Sequence, residues 1–364
     1  MNGKVIGTIH TFKQPFRLES GAVLPRLDIA YETYGTLNKE GTNGILVCHA
    51  LTGSAHAGSE CSPSAGPGWW EGILGKGKGL DTDRYFVVCA NIPGSCYGST
   101  GPTSVNPDTG KAYRTSFPAI SVRDMVRAEH LLLRALGVNE LATVIGGSLG
   151  GMQVLEWAVM FPGTVRSIIP IATAAQHSPW CIGLDDAQRL AIMNDPAWKN
   201  GLYEEQPREG IALARMLAMI SYRSKLSFDQ RFGRDPIPPE GPSKPLHVAR
   251  GVPLAFQIES YLRYQGEKLA ERFDANSYLC LTRAMDSHDV GAGRGSVADA
   301  LGSIKAHALC IGVSSDVLYP RGEQRKIASM IPGAHYAEIK SEDGHDAFLI
   351  EFDQINRLIR LLLT

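Results

Sequence analysis

The sequence predicts an α/β fold in which helices flank a mostly parallel central sheet. Continuous apolar runs at 44–48 and 85–90 are typical of strands buried on both faces, as strands of a parallel sheet are. The segment from Val122 to Leu136, which Gly137 ends, has the apolar spacing of a helix instead. Strand, helix and strand segments alternate repeatedly along the chain, and this alternation indicates the fold class.

This alternation is interrupted once. The N-terminal part carries predicted strands at 27–31, 44–48, 85–90, 141–145 and 165–172 and predicted helices at 122–136 and 152–161. Between 176 and 290 helical segments with Pro-rich interruptions, such as 234–242, replace the alternation. It resumes with strands at 306–313 and 336–339 and helices at 321–330 and 347–363. We therefore expect a core domain of residues 1–175 and 291–364, with a helical cap or lid domain of residues 176–290 inserted into it.

The composition disfavours several classes of protein. Lys and Arg number 36 and Asp and Glu 37, so no excess charge attracts nucleic acid or an anionic membrane. Seven cysteines without a C-x-x-C pair indicate reduced thiols of a cytoplasmic protein. Because no apolar stretch reaches 18 residues and no signal-peptide core is present, we expect neither a membrane span nor secretion. The sequence lacks H-E-x-x-H and clustered Cys and His, which predicts no metal site.

The candidate nucleophile is Ser148, in the G-x-S-x-G sequence of 146–150. This sequence lies between a predicted strand and a predicted helix, where a strained turn can expose a serine if small neighbours let the backbones approach. The first amides of the helix, Leu149 N–H in particular, would then stabilise an oxyanion. A glycine-rich turn or a phosphate-binding loop is the alternative. The absence of G-x-G-x-x-G and of G-x-x-x-x-G-K-[ST] here favours the nucleophile.

The candidate acid and base follow the serine in the order that a serine hydrolase of this architecture requires. Asp316 comes just after the strand ending at Val313, and His345 comes after the last strand. Alone, Asp316 would be a turn or N-cap acid and His345 an exposed loop histidine. Their order, each beyond a predicted strand, favours a triad with Ser148. Two rival histidines fit less well, because His49 precedes the serine and His288 lies in the predicted cap.

A second oxyanion donor is expected in the loop after the strand at 44–48. We assign it to the backbone N–H of Leu51, with Thr52 beside the substrate. His49, in the same loop, is expected to order the loop rather than to transfer protons.

Seven stretches carry a resemblance to a known family. They read CHALT at 48–52, NIPGSCYGSTGP at 91–102, GGSLGGMQ at 146–153, SYRS at 221–224, ESYLRYQG at 259–266, RFDANSY at 272–278 and GHDAFL at 344–349. Through them the sequence resembles the homoserine O-acetyltransferases of the α/β-hydrolase superfamily, over nearly its whole length.

This resemblance implies transfer of acetyl from acetyl-CoA to the hydroxyl of L-homoserine, in methionine biosynthesis, by a ping-pong mechanism through an acyl-serine. It also implies a homodimer that uses acetyl-CoA as co-substrate, and no cofactor is expected. The implied triad is Ser148, Asp316 and His345. Asp346 is implied to receive the substrate's α-amino group and Arg223 its carboxylate. From the residues alone, Asp346 would be an N-cap and Arg223 a solvated charge of the cap.

Several alternatives stay open at the level of sequence. The acyl donor could be succinyl-CoA, the acceptor could be serine, and a plain esterase would share the triad. A binding protein without catalytic activity could also use this fold, although the complete triad argues against it. The glycine-rich loop at 291–295 would meet the CoA phosphates or act as a hinge between the domains.

Overall fold

The computed structural model describes residues 7–61, 66–237 and 255–363. The strands in chain order are β1 (Thr8–Phe12), β2 (Phe16–Arg17), β3 (Val23–Leu24), β4 (Leu27–Tyr34), β5 (Gly44–Cys48), β6 (Phe86–Ala90), β7 (Leu141–Gly147), β8 (Ser167–Ile171), β9 (His307–Val313) and β10 (His335–Ile339). Within these residues one sheet has the order β1, β4, β6, β5, β7, β8, β9, β10, and β2 pairs with β3. β4 is antiparallel to both of its neighbours, and the remaining pairs of the large sheet are parallel. The predicted mostly parallel α/β fold is confirmed.

The helices are α1 (Val122–Ala135), α2 (Leu149–Met160), α3 (Pro179–Met193), α4 (Arg208–Tyr222), α5 (Lys225–Phe232), α6 (Gln257–Ala270), α7 (Ala275–Asp286), α8 (Val297–Gly302), α9 (Arg321–Met330) and α10 (Phe352–Leu363). Local sequence sets the ends of several of them. Ser121 and Asp124 form a capping box at the start of α1, and Gly137 follows its end with a φ of +84°. The predicted helix at 122–136 is thus confirmed to within one residue.

The core fills both faces of the sheet. In β5, Leu46 and Cys48 face one apolar cluster, which includes residues of α1 and α2, while Ile45 and Val47 face a second. The second cluster includes Ile355 of α10. Because successive side chains of a strand point to opposite faces, a strand covered on both sides must be apolar throughout.

Two predicted helix boundaries change in the structure. The helix predicted at 152–161 begins at Leu149, directly after Ser148. The helix predicted at 347–363 is split into a 3-10 helix, Gly344–Leu349, and α10. The indole N–H of Trp70 donates to the Phe348 carbonyl at 3.0 Å, so a contact from a distant loop helps to hold the tighter turn.

The helices α3 to α7 lie between β8 and β9, and the described residues there add no strand to the large sheet. The segments that enter and leave this region pair with each other. His177 N–H donates to the His288 carbonyl at 3.0 Å, and Val290 N–H donates to the Ala175 carbonyl at 2.9 Å. We call residues 175–177 and 288–290 the stem. The division into a core and a cap at 176–290 stays a prediction, and 238–242 of the predicted Pro-rich interruption lie outside the described residues.

Among the described residues, every helix is too short or too polar to cross a membrane.

Candidate active site

Ser148 occupies the sharp turn between β7 and α2. Its backbone has a φ of +59° and a ψ of −125°, a conformation that costs free energy for a residue other than glycine. Two hydrogen bonds hold the turn: Ser148 N–H donates to the Ile171 carbonyl at 3.0 Å, and the Thr173 hydroxyl donates to the Ser148 carbonyl at 2.7 Å. The side chain stands ahead of the N-terminus of α2, as a nucleophile turn requires.

The glycines around Ser148 permit close approaches that a side chain would block. A Cβ on Gly150 would lie 2.1 Å from the Cys48 carbonyl oxygen at the end of β5. A Cβ on Gly147 would lie 2.6 Å from the ring of Phe348. The missing side chains therefore let β5 and the 344–349 turn approach the serine.

Asp316 and His345, on the loops after β9 and β10, are hydrogen bonded to each other. The Asp316 Oδ2 atom lies 2.8 Å from Nδ1 of His345. The other carboxylate oxygen accepts from Leu318 N–H at 2.8 Å and Tyr319 N–H at 2.9 Å. Both side chains are buried. This bond orients the imidazole and leaves its Nε2 atom available for proton transfer.

Aromatic rings surround His345 on several sides. The Phe348 ring, which occupies the space above Gly147, is 5.3 Å from the imidazole in an edge-on arrangement. The rings of Tyr319 and Tyr222 lie 5.3 and 5.7 Å away, measured between centroids. Phe348 thus contacts both the strand that carries the serine and the candidate base.

The Leu51 and Leu149 amides lie in the two loops expected to form an oxyanion hole. Within the described residues, neither N–H donates a hydrogen bond, so both remain available to a ligand. The side-chain amide of Gln153, on α2, bridges these loops by donating to the His49 carbonyl at 3.3 Å and to the Leu149 carbonyl at 3.2 Å. Gln153 therefore fixes the loop after β5 relative to the start of α2.

The two rival histidines have structural partners. His49 Nδ1 contacts the Ala50 carbonyl at 2.8 Å, and its Nε2 accepts from Ile92 N–H at 3.2 Å, so neither ring nitrogen is available to a serine. Burial lowers the pKa of His49 to about 4. His288 Nε2 contacts the Ala174 carbonyl at 3.1 Å, and burial lowers the pKa of this residue to about 3. This arrangement fits the prediction that His49 orders its loop.

Arg223 and Asp346 lie close together beside His345. Arg223 follows α4, and its Nε atom is 3.6 Å from Asp346 Oδ2. Its Nη1 atom forms a second ion pair, at 2.6 Å, with Asp343. Burial raises the pKa of Asp346, and the nearby Arg215, His345 and Arg223 oppose this rise. Arg223 is therefore already shared between two carboxylates.

Arg215 is a second cation next to Asp346, and the sequence reasoning missed it. It lies on α4, with its guanidinium 5.3 Å from the centroid of the Tyr222 ring. Within the described residues, no carboxylate forms an ion pair with it at 4 Å or less. Arg215 and Tyr222 are seven residues apart and therefore lie on one face of the helix. This spacing alone does not mark Arg215 as part of a site, because an arginine on an amphipathic helix is usually solvated.

A cavity of about 810 Å³ opens beside the loop after β5, and Thr52 lines it. Arg272, just after α6, also lines this cavity and donates to the Thr52 carbonyl at 2.8 Å. Ser148 is not part of the lining. The cations Arg114, Lys268 and Arg272 are matched by the acidic residues Glu204, Glu271 and Asp274 around it.

The structure also shows where the candidate CoA-binding loop at 291–295 and a group of potential metal ligands lie. Arg294, in the loop at 291–295, donates to Glu156 of α2 at 2.8 Å, and this engagement does not favour contact with CoA phosphates. His177, Asp185 and the sequence-distant Asp286 bring potential metal-ligand atoms within 4.8 Å of one another. Arg189 forms an ion pair with Asp286 at 2.7 Å, so its guanidinium would repel a cation at this cluster.

Comparison with known proteins identifies the family. A family model described as the alpha/beta hydrolase fold matches residues 43–352. The homoserine O-acetyltransferase of Trichormus variabilis is 52% identical over 347 residues, which cover 95% of this chain and 90% of that protein. That of Moorella thermoacetica is 50% identical over 368 residues, which cover 99% of this chain and 96% of that protein. The chain belongs to the homoserine O-acetyltransferase family.

Solved structures agree with membership of the homoserine O-acetyltransferase family. The homoserine O-acetyltransferase from Bacillus anthracis matches with a TM-score of 0.89 at 29% identity, covering 98% of this chain and 97% of that one. Esterase E22 matches with a TM-score of 0.88 at 30% identity, covering 98% of this chain and 100% of that one. The same architecture therefore occurs in proteins named as acyltransferases and in proteins named as esterases, and the side chains of the site must distinguish them.

Proposed function

We propose that this protein transfers the acetyl group of acetyl-CoA to the hydroxyl of L-homoserine through an acetyl-serine on Ser148. The observation that carries this proposal is the identity of about half of all residues, over nearly the whole chain, to proteins named homoserine O-acetyltransferase. The hydrogen-bonded Asp316 and His345 beside a strained serine turn supply the chemistry that such a transfer needs.

In the first half of the reaction, His345 takes the proton of the Ser148 hydroxyl as the serine oxygen attacks the thioester carbonyl. The negative charge on the tetrahedral intermediate is stabilised by Leu51 N–H and Leu149 N–H. The intermediate then collapses, the carbon–sulfur bond breaks, and His345 gives its proton to the departing CoA sulfur. Acetyl-serine and free CoA remain.

In the second half, the homoserine hydroxyl takes the place of CoA. His345 accepts its proton as the oxygen attacks the acetyl-serine carbonyl, and the same two amides stabilise the oxyanion. Collapse breaks the bond to the serine oxygen, which recovers its proton from His345. Asp316 keeps the imidazole in the required orientation throughout.

The charged side chains beside His345 are proposed to bind the zwitterionic end of homoserine. Asp346 receives the α-amino group, and a guanidinium receives the carboxylate. Arg223 is the cation implied by the resemblance, but it already pairs with Asp343 and Asp346. We therefore add Arg215, which lies near Asp346 and forms no ion pair among the described residues.

The remaining assignments follow from this reaction. Thr52 and the cavity beside it are proposed to admit the acyl donor, because that loop also carries the Leu51 amide. The helices α3 to α7 would exclude water from the acetyl-serine. We propose a cytoplasmic homodimer of methionine biosynthesis with no cofactor besides the co-substrate acetyl-CoA.

The test measures thiol release from acetyl-CoA with and without L-homoserine. We expect release to depend on homoserine, and Ser148→Ala to reduce it by about 10⁴-fold or more because the acyl-enzyme cannot form. Ser329→Ala is the matched control, since Ser329 is exposed on α9 and donates only to the Lys326 carbonyl. Succinyl-CoA and L-serine in parallel reactions test the other donor and the other acceptor.

An esterase is the second candidate, and the match to esterase E22 favours it. An esterase would release thiol, or hydrolyse a small acetyl ester, at a rate that homoserine does not change. If the rate is independent of every amino acid, the proposed transfer and the roles of Arg223, Arg215 and Asp346 are wrong. A protein that neither turns over nor reacts with a serine-directed probe would instead be a binding protein on this fold.

A further inference from the structure

Tyr319 contacts both members of the Asp316 and His345 pair. It follows β9, and its backbone N–H donates to Asp316 Oδ1 at 2.9 Å. Its ring centroid lies 5.3 Å from that of His345. The side chain is fully buried, so it has little freedom to move relative to its neighbours.

The hydroxyl of Tyr319 reaches back to the stem of the inserted helices. It lies 3.0 Å from Nε2 of His177, whose own backbone N–H pairs with the His288 carbonyl across the stem. A buried phenol hydroxyl needs a hydrogen-bond partner, and the described residues supply only His177. One hydrogen bond thus connects the stem to the residue that contacts Asp316 and His345.

His177 also lies close to charged residues of α3 and α7. Its Nδ1 atom lies 3.4 Å from Asp286 Oδ1 at the end of α7. The other oxygen of Asp286 forms an ion pair with Arg189 of α3 at 2.7 Å. A proton on Nδ1 faces this carboxylate and leaves Nε2 to accept from the Tyr319 hydroxyl. Burial lowers the pKa of His177, which favours this neutral form.

We propose that His177 and Tyr319 are positioning residues, and that the hydrogen bond between them fixes the Asp316 and His345 pair relative to the stem. Neither side chain is proposed to exchange a proton with substrate. The bond restricts Tyr319, and Tyr319 restricts the carboxylate through its backbone N–H and the imidazole through its ring. This inference rests on the proposed role of Asp316 and His345 in acetyl transfer.

The first test is Tyr319→Phe, which keeps the ring and removes only the hydroxyl. We expect kcat to fall by about three- to tenfold, the effect of one hydrogen bond, with the KM values for both substrates unchanged. The low-field proton NMR signal of the His345 to Asp316 hydrogen bond should shift or broaden, because the pair is held less rigidly.

The second test asks whether the two side chains act through one bond. His177→Leu should lower kcat by a similar factor, and His177→Gln, which can still accept from the tyrosine, should recover part of the loss. The double variant with Tyr319→Phe and His177→Leu should be no slower than the slower single variant, because the bond can be lost only once.

Tyr336→Phe is the matched control. It also loses a phenol hydrogen bond, to Glu338 at 3.0 Å, but its ring lies against the Arg325 guanidinium of α9 rather than against His345, so kcat should not change. The proposal is overturned if Tyr319→Phe keeps the parental kcat and NMR signal, or if the two losses multiply in the double variant. The NMR signal follows the pair in the absence of substrate, so it tests positioning even if the parent protein transfers no acetyl group.

Discussion

The turn that carries the proposed nucleophile Ser148, here called the nucleophile turn, and the charged site formed by Arg215, Arg223, Asp343 and Asp346 hold their groups in different ways. At the nucleophile turn, backbone approaches backbone, and the Cβ absent from Gly150 would lie 2.1 Å from a carbonyl oxygen. In the charged site, side chains meet side chains: Arg223 lies between Asp343 and Asp346, and Arg215 lies over a tyrosine ring. The nucleophile turn depends on the small side-chain volume of its glycines, and the charged site depends on the pairing of opposite charges. If the proposed roles hold, the position of the reacting atoms is built into the close-packed backbone, and the choice of substrate is set by side chains that can be exchanged.

The largest effect should come from added volume at the turn. Gly150→Ala places a methyl group against the Cys48 carbonyl, and neither backbone can move without displacing β5 or α2. We expect a loss of about 3 kcal/mol in the free energy of unfolding, together with loss of activity. Thermal and denaturant unfolding measure the loss of stability, and thiol release from acetyl-CoA measures the loss of activity.

Gly183→Ala is the control for this prediction. Gly183 is an exposed residue of α3, and nothing lies within 4 Å of an added Cβ. Because alanine loses less backbone entropy than glycine in a helix, we expect a gain of roughly 0.5–1 kcal/mol. Equal stability of the two variants would show that the turn is not the more tightly packed region.

Charge changes in this charged site should act mainly on binding. Arg215→Gln should raise the KM for homoserine by about 10- to 100-fold, the contribution of a charged hydrogen bond, with a smaller loss of melting temperature than Arg223→Gln. Arg223→Gln should also lower the melting temperature, because it removes the ion-pair partner that Asp343 and Asp346 share.

An acceptor that lacks the carboxylate sharpens this comparison. The parent protein should prefer homoserine to its amino-diol analogue, and Arg215→Gln should lose most of that preference. If instead Arg223→Gln alone abolishes the preference and Arg215→Gln keeps it, the carboxylate is bound by Arg223 and the role added for Arg215 is wrong.

A buried carboxyl group between α1 and α2 should make the free energy of unfolding depend on pH. Glu129 of α1 accepts a 2.7 Å hydrogen bond from the Trp157 indole of α2, and burial raises the pKa of its carboxyl to about 8. The Glu129 carboxyl ionises near pH 4.3 in the unfolded chain and near pH 8 in the folded protein. The free energy of unfolding therefore falls as pH rises between these values. The slope is at most about 1.4 kcal/mol per pH unit.

Glu129→Gln removes this ionisation and keeps an acceptor for Trp157. We expect the melting temperature of the variant to equal that of the parent near pH 5 and to exceed it near pH 8. Glu205→Gln, at an exposed position, is the control and should leave the melting temperature unchanged at both pH values. A melting difference that is the same at both pH values would mean that the carboxyl stays ionised in the folded protein.

Much of the fold could be predicted because its signals are local. The apolar runs of β5 and β6, the capping box of α1 and Gly137 each act within a few residues. The boundaries that were wrong depend on distant contacts. The helix after Ser148 starts early, and the last helix is broken at 344–349, where Phe348 packs over Gly147 and its carbonyl accepts from Trp70.

The candidate site divides in the same way. The G-x-S-x-G sequence and the order of Ser148, Asp316 and His345 can be read from the chain, because the sheet brings the ends of parallel strands to one edge. Arg215 and His177 could not be found in this way. The roles proposed for them depend on neighbours such as Asp346 and Tyr319, which lie more than 100 residues away in sequence.

The α/β class, the serine between glycines and the order of the proposed catalytic groups could be predicted from the sequence, because each follows from local conformational preference and hydrophobic pattern. The structure was needed to show which buried charges face one another, which histidine is engaged by backbone groups and which tyrosine joins the stem to Asp316 and His345. These relations arise from packing between elements that are distant along the chain, and local sequence preferences do not encode them.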